Sequence, residues 1–172
     1  MARTLLAALA LAAALPARAD LSPKVPWIGV RLGGLYAVGS AGGGEPGAGG
    51  GTLYALFDGR DFLADVAFDG YGGDRARFFA LGLGAYWPIG LGRVTPYLGG
   101  GLKAGYTQFG GEGAFGMIPF AAGGVVVGRE GYVQLRAEVA WFVALAREGI
   151  TGQPDAQGVR ANGPMFTLGV AL

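Results

Sequence analysis

The chain has 172 residues, and its 13 basic and 12 acidic side chains nearly balance, so it carries no positive excess for holding nucleic acid. It contains no cysteine and no histidine, which excludes disulfides, thiolate metal sites and histidine-based metal sites. Although 36 residues are glycine and nine are proline, 52% of the chain is hydrophobic and 15% is charged, which favours one folded domain over disorder.

The N-terminal segment has the pattern of a secretory signal peptide. Arg3 supplies the positive end, residues 5–15 form an apolar run, and residues 17–19 read Ala-Arg-Ala, a small-x-small cleavage pattern. The run ends at Pro16, well short of the roughly 20 apolar residues that a membrane-spanning helix needs. We therefore favour export over an uncleaved anchor helix.

The predicted signal peptide, residues 1–19, leaves a mature domain over residues 20–172. This domain holds 11 basic residues, the 13 of the whole chain less Arg3 and Arg18, against 12 acidic ones. Because it has no cysteine, it cannot be anchored as a lipoprotein through an N-terminal Cys.

Eight segments of the mature domain have the alternating or apolar character of strands. In chain order they cover residues 27–39, 52–59, 60–70, 75–87, 94–108, 117–128, 132–145 and 164–172. The alternation is clearest in the third, fourth and seventh segments and blurred in the second and sixth. Many run 9 to 13 residues, longer than the roughly 5 to 6 of soluble sheets and close to the length of a strand that crosses a membrane.

The connections between these segments alternate in character. Short turns lie at 58–61, 88–93 and 128–131, whereas longer glycine-rich or polar loops lie at 39–51, 70–75, 109–116 and 146–161. Short turns at one end and longer loops at the other are typical of outer-membrane barrels, and an even strand count places both termini at the short-turn end. The pattern predicts an all-β, eight-stranded, antiparallel up-and-down transmembrane β-barrel.

The stretch RDFLADVAFDG, residues 60–70, raises the question of which face looks inward. Its phenylalanines share one parity and its aspartates the other, and in other segments the second parity is crowded with glycine and alanine. Small residues suit the narrow lumen of a closed eight-stranded barrel. We therefore predict that the larger apolar residues face lipid and that charged residues form ion pairs in the lumen, namely Arg31, Asp61, Asp65, Asp69, Lys103, Arg136 and Glu138. The alternative is a soluble, lipocalin-like barrel with its apolar face inward.

A barrel of this kind is expected in the outer membrane of a Gram-negative bacterium, with the membrane lipid as its partner. Aromatic side chains near strand ends or at mid-depth anchor such barrels at the membrane interfaces. The candidates are Trp27, Tyr36, Trp87, Tyr106 and Trp141.

With its signal peptide, eight alternating strands and terminal FTLGVAL, the chain resembles the small outer-membrane barrels of the OmpA, OmpX and OmpW type over essentially the whole mature domain. In that family the last strand alternates apolar residues and ends in an aromatic, usually Phe, which the barrel-assembly machinery recognises. Phe166, Leu168 and Val170 fit this pattern, whereas the last residue is Leu172. The resemblance implies insertion by that machinery, with a departure at the final position.

No catalytic, cofactor-binding or metal-binding residue is predicted. The palmitoyltransferase and lipid A deacylase families of eight-stranded barrels rely on a catalytic histidine, which this chain lacks. Asp61, Asp65 and Asp69 follow one another at about 13 Å along a strand, farther apart than the roughly 5 to 9.5 Å of glycosidase pairs, although a cross-strand pair stays open. The Asp-Gly steps fit turns rather than a calcium loop.

Two kinds of function then remain open, besides a soluble periplasmic lipid-binding barrel. The first, which we favour, is a non-enzymatic structural or surface-interaction barrel whose lumen is narrowed by glycines and ion pairs. Its loops at 39–51, 109–116 and 146–161 would meet an extracellular partner. The second is a narrow pore or a carrier for small apolar molecules, as OmpW-like proteins are thought to be.

Overall fold

The computed structural model describes residues 26–40, 45–59, 61–90, 92–109, 112–129, 131–146 and 158–172. Its described residues form nine strands: β1 (Trp27–Tyr36), β2 (Gly39–Ser40), β3 (Gly47–Asp58), β4 (Leu63–Gly72), β5 (Ala76–Pro88), β6 (Val94–Phe109), β7 (Glu112–Val127), β8 (Gln134–Ala146) and β9 (Gly158–Ala171). Within these ranges there is no helix of the length and apolar character needed to cross a membrane.

The eight long strands close into one antiparallel barrel. Each pairs with its neighbours along the chain, β1 also pairs with β9, and the two-residue β2 extends the β1 edge along β9. Following the cross-strand partners once around the barrel from Trp27 leads to Gly163, which lies next to Ala37 on the first strand's continuation. The barrel therefore closes with a stagger of ten residues (37 − 27). At about 3.3 Å per residue and 4.8 Å between strands, this stagger tilts the strands by about 40°. That tilt lies within the range of outer-membrane barrels.

Several strands run further than the sequence predicts. Residues 47–51 belong to β3, residues 112–116 to β7 and residues 158–161 to β9, so the described parts of the expected loops at 39–51, 109–116 and 146–161 are largely strand. The reason is pairing: the Gly49–Gly51 run has partners on both β1 and β4, and a ladder on both sides outweighs the weak strand preference of glycine. The predicted signal peptide, residues 1–19, and residues 41–44 and 147–157 lie outside the described residues.

Side chains alternate between the two faces of the barrel wall as the third and fourth predicted segments indicate. On β4, Val66 and Phe68 are exposed on the outer face, whereas Asp65 and Asp69 are buried inside. On β5, the outward residues Phe79, Leu81, Leu83, Ala85 and Trp87 are all exposed, and each intervening residue is buried. The soluble alternative required the opposite orientation and is wrong, because the large apolar side chains cover the outside.

Candidate functional site: the barrel lumen

Four charged side chains form a closed network at the centre of the lumen. Arg136 on β8 contacts Asp65 on β4 at 2.8 Å and Glu138 on its own strand at 2.6 Å. Arg31 on β1 contacts Glu138 at 2.8 Å and Asp65 at 3.5 Å. Since β4 and β8 stand four strands apart in either direction around the barrel, the Arg136–Asp65 pair spans its full width. Two cations and two anions thus neutralise each other in a buried position, as buried charges require.

Tyrosines surround this central network and hydrogen-bond with several of its members, while Arg31 Nε and the Tyr54 hydroxyl have no hydrogen-bond partner among the described residues. The Tyr97 hydroxyl donates to Glu138 Oε2 at 2.8 Å and accepts from Arg136 Nε at 2.6 Å. The Tyr86 hydroxyl donates to the Asp65 carboxylate at 3.2 Å. The Arg136 guanidinium also lies 4.4 Å from the centre of the Tyr86 ring and 4.8 Å from that of Tyr97. Stacking and hydrogen bonding together hold this guanidinium in one place.

A second polar cluster lies nearer the loop end of the barrel than the central network does. Its residues stand two to four positions further towards that end along their strands. Lys103 on β6 contacts Asp69 on β4 at 2.5 Å, and Thr52 on β3 donates to the same carboxylate at 2.5 Å. Thr52 in turn lies 3.1 Å from the Tyr71 hydroxyl, and Lys103 Nζ lies 4.8 Å from the centre of the Phe120 ring. This cluster is also neutral, with one cation and one anion.

A third cluster crosses the mouth of the barrel at the short-turn end. Arg129, in the turn after β7, binds Asp58 at the end of β3 with Nε–Oδ1 at 2.8 Å and Nη2–Oδ1 at 2.7 Å. Its Nη2 also donates to the Gly59 carbonyl at 2.5 Å, and Gln134 donates to Asp58 at 3.2 Å. β3 and β7 stand on opposite sides of the barrel, so these contacts, which we call the mouth clasp, span it.

Aromatic packing fills the opposite, loop end of the lumen. Phe142 on β8 packs edge-on against Phe78 at 5.8 Å and stacks on Phe109 at 5.9 Å between ring centres. Phe78 continues to Tyr71 at 6.1 Å, which links this layer to the second polar cluster. Buried apolar residues complete the layer, among them Leu35 and the smaller Ala37, Ala76, Ala144 and Ala161. From mouth to loop end, the described lumen is therefore occupied by packed side chains.

Glycines provide the space for these large lumen side chains. Gly29 pairs with Tyr54, Gly82 with Lys103, Gly84 with Asp65, Gly124 with Tyr97, and Gly169 with both Arg31 and Arg136. A Cβ added at Gly84 would lie 2.5 Å from Asp65 Oδ1, and one at Gly124 would lie 2.5 Å from the Tyr97 hydroxyl. Each of these six bulky or charged side chains thus lies beside a glycine on a neighbouring strand.

Six of the seven charged residues expected in the lumen are buried there, and each has an ion-pair partner within the described part of the chain. Asp61 is the exception, and its assignment to the lumen is corrected. It is exposed and precedes β4, which begins at Leu63, so the alternation that fixes the faces of Asp65 and Asp69 does not extend to it.

The aromatic and C-terminal candidates lie on the outer face or at strand ends. Trp27 begins β1 at the short-turn end, where it is half-buried and packs against the buried core. Its assignment to the membrane interface is corrected, because it shares the inward parity of Gly29 and Arg31. Trp87 near the end of β5, also at the short-turn end, is 71% exposed. Tyr36 and Tyr106 lie towards the loop end, and Trp141 is exposed within β8. In β9 the residues Phe166 and Leu168 face outward and are exposed, Val170 shares their parity, and Leu172 follows the strand and is exposed.

Sequence reasoning missed the mouth clasp and the tyrosine shell. Asp58 and Arg129 lie in segments that it assigned to turns, so no parity was available to place them, and nothing in the sequence pairs positions 71 residues apart. Tyr86 and Tyr97 do share the parity of the glycines on their strands, a signal that could have placed them in the lumen. No group of three or more potential metal-ligating side chains occurs among the described residues.

Together these features define a class of protein. A closed, eight-stranded antiparallel barrel with apolar residues outside and a packed polar interior has the fold of the small outer-membrane β-barrel proteins. No protein-family model and no curated protein sequence matches the chain.

Three solved structures share this fold with the chain. Neisserial surface protein A (NspA) has a TM-score of 0.67 at 16% identity, covering 86% of this chain and 96% of that one. The N-terminal β-barrel domain of Pseudomonas aeruginosa OprF has a TM-score of 0.52 at 15% identity, covering 84% and 95%. Ail, the attachment invasion locus protein of Yersinia pestis, has a TM-score of 0.50 at 12% identity, covering 86% and 97%.

Proposed function

We propose that this protein is an integral outer-membrane barrel with a non-enzymatic, structural or surface-interaction role, and that its lumen does not conduct. The observation that carries the second part is the central network, in which Arg136 and Asp65 join opposite walls while Arg31 and Glu138 fill the space between them. A conducting channel needs a continuous path for water, and packed side chains interrupt it at four levels, namely the mouth clasp, the central network, the second polar cluster and the aromatic layer.

The outer face supports placement in a membrane. The outward residues of β5 from Phe79 to Trp87 cover eight residue steps, about 27 Å along the strand and about 20 Å along the barrel axis at a tilt of about 40°. An apolar band of about 25 Å is expected for an outer-membrane barrel. Exposed apolar side chains on all eight long strands make this band continuous around the barrel.

The surface role rests on the ends of the barrel and on its structural neighbours. NspA is by name a surface protein and Ail an attachment invasion locus protein, and both share the fold of this chain. We therefore assign the surface-interaction role to the loop end of the barrel and the structural role to the barrel wall.

Insertion is expected to follow the route of related barrels, through the barrel-assembly machinery. Phe166 and Leu168 present an apolar outward row on β9, and that strand forms the closing seam with β1.

Cysteine labelling tests the membrane topology, because the natural chain contains no cysteine. Asp74→Cys places a thiol in the exposed connection between β4 and β5 at the loop end, and Ile89→Cys places one in the exposed turn after β5 at the other end. We expect a membrane-impermeant maleimide to label the first variant on intact cells and the second only after the outer membrane is permeabilised. Equal labelling of both in intact cells would contradict the proposed insertion.

Planar-bilayer recording tests the closed lumen. Purified, inserted protein is expected to give no steady conductance steps, because water has no continuous path past the central network. Regular steps that change in size with Asp65→Ala would contradict the closed barrel and favour the pore. A barrel that inserts, shown by its heat-dependent electrophoretic mobility, but gives no steps supports the structural role.

A further inference from the structure

We infer that the outer face of β5 and β6 at the loop end binds the phosphate of a membrane glycolipid through Arg77. This inference rests on the proposed insertion in the outer membrane with the loop end outward. We call Arg75, Arg77 and the aromatic side chains Phe79, Tyr106 and Phe115 the lipid patch.

Arg77 has an unusual position for a charged residue. It lies on the outward parity of β5, one residue after the start of the strand at Ala76, and it is exposed. Its cross-strand partners are Gly72 on β4 and Gln108 on β6, and a Cβ at Gly72 would meet nothing within 4 Å. The guanidinium therefore lies on the outside of the wall with open space on its β4 side.

The apolar part of the lipid patch begins directly beneath this cation. Phe79 follows Arg77 on the same face, about 7 Å further towards the middle of the membrane. Its partner Tyr106 packs against Phe115 on β7, with 5.3 Å between ring centres. A cation above a row of aromatic rings matches a lipid whose phosphate lies at the interface and whose acyl chains lie below it.

Charge distribution around the loop end favours this side of the barrel. Arg75 lies exposed in the connection before β5, two residues from Arg77, and the acidic Asp74 beside it leaves the group with a net positive charge. Around the barrel near the end of β1, the exposed Glu45 instead accepts a hydrogen bond from Tyr36. A guanidinium binds phosphate through paired N–H donors, which a lysine cannot reproduce. Paired donors match carboxylate as well as phosphate, and we infer phosphate because it is the anion of the lipid expected around the inserted barrel.

Native mass spectrometry of the detergent-solubilised, folded barrel tests the inference, with diphosphorylated lipid A as the probe. We expect Arg77→Gln to lower retention of this lipid about fivefold, the effect of one interfacial cation, and Arg75→Gln/Arg77→Gln to lower it further. The matched control is Arg93→Gln, which removes an exposed arginine at the short-turn end and should retain the lipid as the natural chain does. Inorganic phosphate in excess should not displace the lipid, because it lacks the acyl chains.

Three results would overturn the inference. One is equal retention by Arg77→Gln and the natural chain; another is equal retention of dephosphorylated and diphosphorylated lipid A by the natural chain. Displacement by inorganic phosphate alone would indicate a free-anion site and would also overturn it. Each variant is first checked for a heat-dependent band shift and for insertion into vesicles. Failure there contradicts the proposed membrane role, whereas failure of lipid discrimination in an inserted barrel contradicts only the lipid patch.

Discussion

Replacing Arg136 by methionine removes the residue that joins opposite walls of the barrel. The side chain makes ion pairs at 2.8 Å with Asp65 and 2.6 Å with Glu138, and its Nε donates to Tyr97. Breaking a buried ion pair by removing one partner costs about 3–5 kcal/mol, because the other charge stays buried without compensation. Here Arg31 still contacts both carboxylates, so we expect the lower end, about 3 kcal/mol, more than a hundredfold in the unfolding equilibrium.

Urea unfolding of the barrel in lipid vesicles, followed by its heat-dependent band shift, measures this loss. The diagnostic comparison is the double variant Arg136→Met/Asp65→Asn, in which the network regains neutrality with Arg31 and Glu138. We expect the second substitution to restore part of the stability lost in the single variant. The reasoning is refuted if Arg136→Met unfolds within 1 kcal/mol of the natural chain, or if the effects of the two substitutions simply add.

Other predictions concern the wall, the glycines and the mouth. Leu83→Arg, at mid-strand on the lipid face, should destabilise the inserted barrel by about 2–4 kcal/mol, measured by urea unfolding in vesicles; a loss near zero would argue against lipid contact there. Gly84→Val should cost about 1–3 kcal/mol because its Cβ would meet the facing carboxylate, whereas Ala85→Val on the outer face should be nearly neutral in the same assay. In a double-mutant cycle, the side chains of Asp58 and Arg129 are removed singly and together. We expect a coupling free energy of about 1 kcal/mol or more between them, and strictly additive effects would contradict the mouth clasp.

The alternation of side chains could be read from the sequence because its period of two is a local property of each strand. Residues 62–69 and 76–87 carry this pattern in full, and the structure places their two parities on the two faces of the wall. The fold class can be predicted by counting these segments. The cross-strand pairing that closes the barrel in the structure agrees with that prediction.

Strand ends could not be predicted, because they depend on pairing with neighbours. The glycines at positions 49–51 have low strand preference by themselves, yet they pair on both sides within β3. Conversely, Asp61 continues the parity of β4 in the sequence but lies before the strand, where the turn from β3 sets the direction of the chain.

The members of the lumen network could be predicted, but their partners could not. Parity placed Arg31, Asp65 and Arg136 on the inner face, whereas the contacts between them depend on strand tilt and on the stagger between strands. The same limit applies to the mouth clasp, whose members belong to turns on opposite sides of the barrel.

The most direct test of the account is the electrophoretic mobility of the protein from an outer-membrane fraction, unboiled and boiled in SDS. A closed transmembrane barrel with a packed, ion-paired lumen should resist SDS at room temperature and change its mobility only after heating. A single mobility under both conditions, with the protein recovered in the soluble periplasm, would contradict the account.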